Sequence, residues 1–193
     1  MKKLAATALA VFSVSAASMA QQGSNSDHAL IEPLAPLSWL VGHCWAGSFN
    51  DGAVIDTHCY QARLNGTVVV DRHLVSNEPV YCGETVFHFA PPQFDNEDEG
   101  VILFRYYNIV GGVSDGLLEP KGRELYFPEE RIPGERGEEL TFQTRIKPIN
   151  DDRYDIISQQ KVGAVWREVN KTTFTKVLSE AYPYPNGYEA CSK

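Results

Sequence analysis

Residues 43–76 read HCWAGSFNDGAVIDTHCYQARLNGTVVVDRHLVS. Apolar and polar side chains alternate here around two turn signals, Asp51-Gly52 and Asn65-Gly66. Such alternation is typical of half-buried strands, and Asp-Gly and Asn-Gly supply the positive φ angles that tight hairpin loops need. The stretch therefore predicts three antiparallel strands joined by two hairpins.

Strand-like alternation and turn signals continue through the rest of the chain, without a helical pattern of useful length. A meander without a covering helix hides its edges by forming a sandwich or by closing into a barrel, and sequential hairpins favour the barrel. We therefore predict an all-β fold, a single antiparallel up-and-down barrel of about eight to ten strands. The ten predicted strands span residues 43–50, 53–62, 67–76, 80–90, 101–110, 113–119, 123–128, 138–147, 153–162 and 164–177.

The predicted barrel domain spans residues 37–177, and at a chain length of 193 residues one domain is the expected number. Before it, residues 21–36 are polar and then Pro-containing, which predicts a flexible leader. Residues 36–42 predict one short helical turn that ends at Gly42. Residues 178–193 are predicted to be a C-terminal tail.

The chain is acidic, with 25 acidic and 17 basic residues and a net charge of −8 at pH 7. A protein that binds nucleic acid needs a basic stripe to neutralise phosphates. Anionic lipid attracts basic segments for the same electrostatic reason. The composition therefore predicts that nucleic acid is not a partner and that the protein does not dock on anionic membranes.

The first twenty residues have the pattern of a secretory signal peptide. Lys2 and Lys3 precede an apolar run over residues 4–17, and Ser18 and Ala20 occupy the −3 and −1 positions of a cleavage site. The run is too short for a comfortable transmembrane helix, and no second run of that length follows, so no transmembrane segment is predicted. We predict a periplasmic or secreted protein, with a retained N-terminal anchor as the alternative.

The segment LSWLVGHCWAG, residues 37–47, resembles the opening of calycin-type barrels. That group includes lipocalins, fatty-acid-binding proteins, nitrobindin-like haem proteins and several secreted bacterial families of uncharacterised function. Its members begin with a short helical turn and then carry Gly-x-Trp on the first strand. Here two residues separate Gly42 from Trp45. The resemblance implies a barrel with an interior cavity and an inward-facing Trp45 at the closed end.

The resemblance has two further implications. In these barrels a basic residue of the last strand, here within residues 166–176, packs across the Trp. Nitrobindin-like proteins hold haem with a late histidine, whereas this chain has no histidine after His88. That haem site is therefore not implied here, and the cofactor is left unspecified.

Four cysteines in an exported chain suggest two disulfides, with three possible connectivities. A two-residue loop at Asp51-Gly52 places Cys44 opposite Cys59, at a separation that a disulfide tolerates. We therefore favour Cys44–Cys59, which leaves Cys82–Cys191 by elimination. The sequence leaves the other two connectivities open.

The same hairpins align a row of functional side chains. The loop at Asp51-Gly52 pairs Trp45 with His58, and the loop at Asn65-Gly66 pairs His58 with His73. A two-residue loop at Glu78-Pro79 would then pair His73 with Glu84. Directly opposed Cβ atoms lie roughly 4.5–5.5 Å apart, and a slip of one residue turns a strand over. If Trp45 faces the cavity, so does the whole row.

Two histidines and a carboxylate on adjacent strands could hold a divalent metal, through His58, His73 and Glu84. Asp56 and Asp71 stand two residues before the histidines on the same faces, where each could orient its neighbouring imidazole. The alternatives are a polar, hydrogen-bonded interior without a metal, and general acid–base chemistry by the same groups.

Arg105 lies on a strand of alternating character, beside Tyr106 and Tyr107. One face of that strand must point inward. If it carries Arg105, the guanidinium could bind a ligand carboxylate with two hydrogen bonds. An outward, solvated Arg105 is the alternative.

The sequence thus supports two functional hypotheses. The sequence contains no G-x-S-x-G nucleophile motif. The predicted fold favours an exported barrel that binds a small, partly apolar molecule in a partly polar cavity. The alternative is a metal-assisted or acid–base enzyme that uses the His/His/Glu cluster. The oligomeric state stays open. The candidate ligand-binding residues are Trp45, His58, His73, Glu84 and Arg105.

Overall fold

The fold is described from a computed structural model, which describes residues 29–76, 79–92, 100–133, 138–178 and 191. The predicted signal peptide, the first half of the predicted leader and most of the predicted C-terminal tail lie outside the described residues.

The described chain forms ten strands, and each begins within one residue of its predicted start. Each strand pairs antiparallel with the next, and the first pairs with the last, so the sheet closes into a barrel. The prediction of an all-β, up-and-down barrel is confirmed, and the architecture is consistent with a calycin-like fold. The strands are β1 Cys44–Phe49, β2 Val54–Arg63, β3 Val68–Val75, β4 Tyr81–Ala90, β5 Val101–Asn108, β6 Val113–Lys121, β7 Glu124–Pro133, β8 Glu139–Asn150, β9 Arg153–Val162 and β10 Val165–Val177.

The barrel closes where β1 meets β10. Gly47 of β1 pairs with Phe174 of β10. A Cβ atom at position 47 would lie 2.8 Å from the Thr172 side chain and 3.0 Å from the Phe174 ring. The glycine therefore allows an aromatic ring to cross the seam, and closure removes the unpaired strand edges that an open sheet would expose.

A short 3-10 helix, Glu32–Leu37, covers one end of the barrel. Leu34 and Leu37 are three residues apart, so they lie on one side of a 3-10 helix, and both are completely buried. The backbone N–H of Ile31 donates to the carbonyl of Gly66 in the loop between β2 and β3, which fixes the helix to this end.

The prediction of a helical turn at residues 36–42 placed it too late in the chain. The helix begins at Glu32, inside the segment predicted to be a flexible leader, and Leu34 belongs to the barrel core. Pro33 suggested an irregular leader, but Pro is well tolerated in the first turn of a helix, where Pro33 lies. Burial of the two leucines then holds the segment in place.

Trp45 lies in the core at this closed end and is fully buried. Its ring packs edge-on against Trp39 and Tyr154, at centroid distances of 5.9 and 4.9 Å. Its indole N–H donates to the carbonyl of Leu40 at 3.4 Å. The Nζ atom of Lys176, on β10, lies 5.2 Å from the Trp45 ring centroid. Lys176 is thus the basic residue that the calycin resemblance implies across the Trp.

The four cysteines form the two predicted disulfides, Cys44–Cys59 and Cys82–Cys191. Cys44 and Cys59 are direct cross-strand partners, as the hairpin register predicted. With Leu74 and Cys82 they form a small buried cluster separate from the main core. The second disulfide joins β4 to a residue 109 positions away, near the C-terminus.

Among the helices of the described residues, none combines the length and apolar character that a membrane crossing requires.

Candidate functional site

The inner wall of the barrel changes from apolar to polar along its axis. Side chains that share the inward register of Trp45 are apolar near the 3-10 helix. At the other end, which we call the open half, many inward-facing positions carry polar groups. These are Asp56, His58, Asp71, His73, Tyr81, Thr85, Tyr106, Ser114, Glu130, Thr144 and Ser158.

His58 and His73 form the centre of the site. They are direct partners across β2 and β3, and His58 pairs with Trp45 on its other side, so both predicted registers are confirmed. The two imidazole rings stack with centroids 4.4 Å apart and planes within 9° of parallel. Their side chains are 13% and 16% exposed, so solvent still reaches both rings.

Asp71 orients His58. Asp71 lies two residues before His73 on β3 and pairs with Tyr60, the inward neighbour of His58. Its Oδ2 atom lies 2.7 Å from Nδ1 of His58, which is hydrogen-bond distance. The contact fixes the orientation of the ring and leaves Nε2 on its far side, as a carboxylate–histidine pair does beside a metal.

Asp56 lies between the two rings. Its Oδ1 atom is 2.6 Å from Nε2 of His73 and 3.6 Å from Nε2 of His58. The shorter contact does not have the angles of a hydrogen bond, so Asp56 Oδ1 and His73 Nε2 are both buried without a hydrogen-bond partner. Asp56 was predicted only to orient a neighbouring imidazole, whereas here it is the carboxylate that both histidines face.

The predicted position of Glu84 is wrong. His73 pairs with Gly83, and Glu84 pairs with Arg72 on the outer face of the barrel. Its carboxylate lies 3.6 Å from the Nε atom of Arg72, and 37% of the side chain is exposed. Val75 pairs with Tyr81, so five residues separate β3 from β4 instead of the two that the prediction assumed.

Gly83 makes room for Tyr106, which the sequence placed on an alternating strand without a role. A Cβ atom at position 83 would overlap the Tyr106 ring. The Tyr106 hydroxyl lies 2.7 Å from the hydroxyl of Tyr81 and 3.4 Å from Nδ1 of His73. The predicted register of β4 was shifted by one residue and placed Glu84 opposite His73. It therefore gave no indication that the Tyr106 ring lies over Gly83.

Arg105 faces outward, which was the alternative to an inward, ligand-binding Arg105. It alternates with the inward Tyr106 and pairs with Asp115 of β6. Its guanidinium lies 2.8 Å from the Asp115 carboxylate, with 53% of the Arg105 side chain exposed. Trp45, another candidate ligand-binding residue, is a core residue of the closed end.

Burial and charge pull the pKa of His58 in opposite directions. Burial disfavours the imidazolium, but the carboxylates of Asp71 and Asp56 outweigh it and raise the pKa of His58 to about 10. Burial likewise favours the neutral form of Asp56, but His58 and His73 hold the pKa of that carboxyl well below its usual range. Without a bound ion, the cluster is therefore an ion pair at neutral pH.

The tyrosine at the edge of the cluster stays protonated. Burial, and then the hydrogen bond with Tyr81, raise the pKa of Tyr106 well above its ordinary value. Because each phenol has one proton, the Tyr81–Tyr106 hydrogen bond uses only one of the two. If Tyr81 donates this hydrogen bond, the Tyr106 hydroxyl can donate to an acceptor in the open half.

No protein-family model matches the sequence, and no curated protein matches it significantly. The interpretation of the site therefore depends on its own geometry and chemistry.

Proposed function

We propose that the protein is an exported, calycin-like barrel that binds a small, partly apolar molecule in its open half. One observation carries the proposal: several inward-facing residues there are only partly buried, among them Tyr106, Phe142 and Ile156. In a closed barrel, an inward-facing side chain keeps accessible surface only where solvent enters the interior. This supports a space in the open half that a ligand could occupy.

The chemistry of the wall supports a ligand with an apolar body and a polar group. Phe142 and Ile156 supply apolar surface, and Tyr106 can donate a hydrogen bond to a ligand oxygen. Pockets for small molecules are mostly apolar, with a few placed polar groups that fix orientation. We assign the polar contact to the Tyr81–Tyr106 pair and the neighbouring imidazole of His73.

Two features support export to the periplasm or the medium. The N-terminal sequence has a signal-peptide pattern, and the two disulfides favour an oxidising compartment. The acidic composition agrees with a protein that does not bind nucleic acid.

The binding proposal is tested with 1-anilinonaphthalene-8-sulfonate, a small and partly apolar anion that fluoresces when it is desolvated. We expect saturable binding of one probe molecule per chain. Ile156→Trp should abolish binding because the larger side chain fills the open half, and Tyr106→Phe should weaken it because a donor is lost.

Tyr107→Phe is the matched control for Tyr106→Phe. Tyr107 is the next residue on β5 but faces outward, and it is 45% exposed. Probe binding that is unchanged by Ile156→Trp, or weakened equally by the two Tyr→Phe variants, would contradict the proposal. Native mass spectrometry of protein isolated from the producing cells then identifies the natural ligand.

An acid–base enzyme is the second candidate function. A series of hydrogen bonds connects His73 to Tyr106 at 3.4 Å and Tyr106 to Tyr81 at 2.7 Å. Such a series can move a proton to or from a molecule in the open half. Conversion of the natural ligand by the wild-type protein, and its loss in His73→Gln, would distinguish an enzyme from a binding protein.

A further inference from the structure

We infer that Asp56, His58 and His73 together bind one divalent first-row transition-metal ion. One oxygen and two nitrogen atoms of these residues all lie within 4.8 Å of one another. The inference goes beyond the proposed function and does not depend on it, because the site requires no organic ligand.

The spacing of the three side chains is close to that of a coordination sphere. Zn–N and Zn–O bonds are roughly 2.0–2.2 Å long, so neighbouring ligand atoms around an ion lie roughly 3–3.5 Å apart. The distances from Asp56 Oδ1 to Nε2 of His73 and of His58 are 2.6 and 3.6 Å, which bracket that range.

Two of the three proposed ligand atoms are buried without a hydrogen-bond partner. These are Oδ1 of Asp56, whose side chain is 9% exposed, and Nε2 of His73. An unsatisfied buried polar group is costly, and more so when it is charged. A cation between the two atoms satisfies both, because each can offer it a lone pair.

The other ring nitrogen of each histidine already has an orienting partner. Nδ1 of His58 contacts the Asp71 carboxylate at 2.7 Å, and Nδ1 of His73 lies 3.4 Å from the hydroxyl of Tyr106. Metal-binding histidines almost always direct their second nitrogen to such a partner. Both Nε2 atoms are thereby directed to the side on which Asp56 lies.

The charges of the site also balance with a bound ion. Two carboxylates, Asp56 and Asp71, carry two negative charges into a largely buried site. A divalent cation with two neutral imidazoles cancels them. Imidazole and carboxylate together suit ions such as Fe²⁺, Co²⁺ and Zn²⁺, whereas Mg²⁺ and Ca²⁺ prefer oxygen ligands alone.

Binding changes the relation of the two rings. The lone pair of an imidazole nitrogen lies in the ring plane, so parallel rings cannot both direct their lone pairs at one ion. Because His58 and His73 are stacked, coordination of one ion by both Nε2 atoms requires the rings to tilt toward each other. The partial exposure of both rings leaves further coordination positions accessible from the open half.

The test uses untagged protein with both disulfides formed, treated with EDTA and then dialysed. Calorimetric titration with Zn²⁺ or Co²⁺ alone should give one ion per chain. His73→Gln and Asp56→Asn should each weaken binding at least about a hundredfold, because a direct ligand is lost. Asp71→Asn should weaken it by about 10- to 100-fold, because only the orientation of His58 suffers.

Two variants on the outer face of β4 serve as matched controls. His88→Gln removes an imidazole and Glu84→Gln removes a carboxylate, and neither residue faces the site. Both variants should bind the ion as the wild-type protein does. The inference is overturned if the wild-type protein takes up no ion stoichiometrically, if His73→Gln binds undiminished, or if His88→Gln loses affinity equally.

X-ray absorption of the zinc-loaded wild-type protein gives an answer that does not depend on the folding of variants. Two imidazole ligands per zinc ion are expected, and fewer than two would refute the inference. Because the probe is the metal alone, failure here leaves the binding of an organic molecule in the open half untouched.

Discussion

Tyr106 lies directly over Gly83, and a Cβ atom at position 83 would overlap its phenol ring. The absence of a side chain at Gly83 shapes the site. It lets a side chain from β5 cross β4 and bring its hydroxyl to Tyr81 and toward His73. The geometry around the histidines thus depends on a residue that makes no polar side-chain contact of its own.

Gly83→Ala should therefore displace Tyr106. Overpacking of a well-packed interior costs roughly 1–3 kcal/mol, and we expect a loss of that size in the free energy of unfolding measured with urea. In a Tyr106→Leu background the same substitution should cost clearly less, because the smaller side chain leaves room. An equal penalty in both backgrounds would show that the overlap with Tyr106 is not the cause.

Trp45→Ala should destabilise the barrel strongly. Trp45 is fully buried among Trp39, Tyr154 and Lys176, so truncation leaves a large cavity and costs roughly 3–5 kcal/mol. Trp166 of β10 is the matched control, since it is only partly buried, and Trp166→Ala should cost much less. Denaturant midpoints that shift equally for the two variants would contradict this account of the closed end.

The two disulfides should contribute unequally to stability. In the chain-entropy model, a bridge that closes a loop of about 15 residues stabilises by about 3 kcal/mol, and one that closes a loop of about 100 residues by about 4.7 kcal/mol. The sequence separations here are 15 and 109. Replacing Cys82 and Cys191 with Ala should therefore lower the free energy of unfolding more than replacing Cys44 and Cys59. The reverse order in urea denaturation would count against an entropic origin.

The sequence predicted register correctly where the turn residues determine it. Asp51, Gly52, Asn65 and Gly66 all adopt positive φ angles, as the residue types require. Both hairpins that they close have the predicted pairing. From these two registers followed the Cys44–Cys59 disulfide and the cross-strand contact of the two histidines.

The predicted strand register was wrong where no residue with a required positive φ angle fixes the loop. Glu78-Pro79 signals a turn but does not specify its length, because Pro restricts only its own φ and the backbone conformation of the residue before it. The actual loop is longer and changes the parity of β4, so Glu84 faces outward and Gly83 inward. The contact of Asp56 with both histidines could not be predicted from the sequence either. It depends on side-chain directions, which strand pairing alone does not determine.

The stability conferred by Asp155 should depend on pH. Asp155 lies on β9, where the Thr173 hydroxyl donates to its carboxylate at 2.7 Å and the Nζ atom of Lys171 lies 3.2 Å away. Burial raises the pKa of Asp155, but Thr173 and Lys171 outweigh it, so the pKa lies below its ordinary value. A carboxyl whose pKa is lower in the folded state stabilises the protein above its unfolded pKa of about 3.9. That contribution is lost as the pH falls through the folded pKa.

The loss in unfolding free energy caused by Asp155→Asn should therefore be greatest above about pH 4 and shrink at lower pH. Asp115→Asn, at a carboxylate that is 59% exposed and paired with Arg105, is the control and should cost less unfolding free energy at pH 7 than Asp155→Asn. Urea denaturation of the three proteins between about pH 2 and pH 7 measures both differences, and a penalty for Asp155→Asn that stays constant across that range would contradict the assignment.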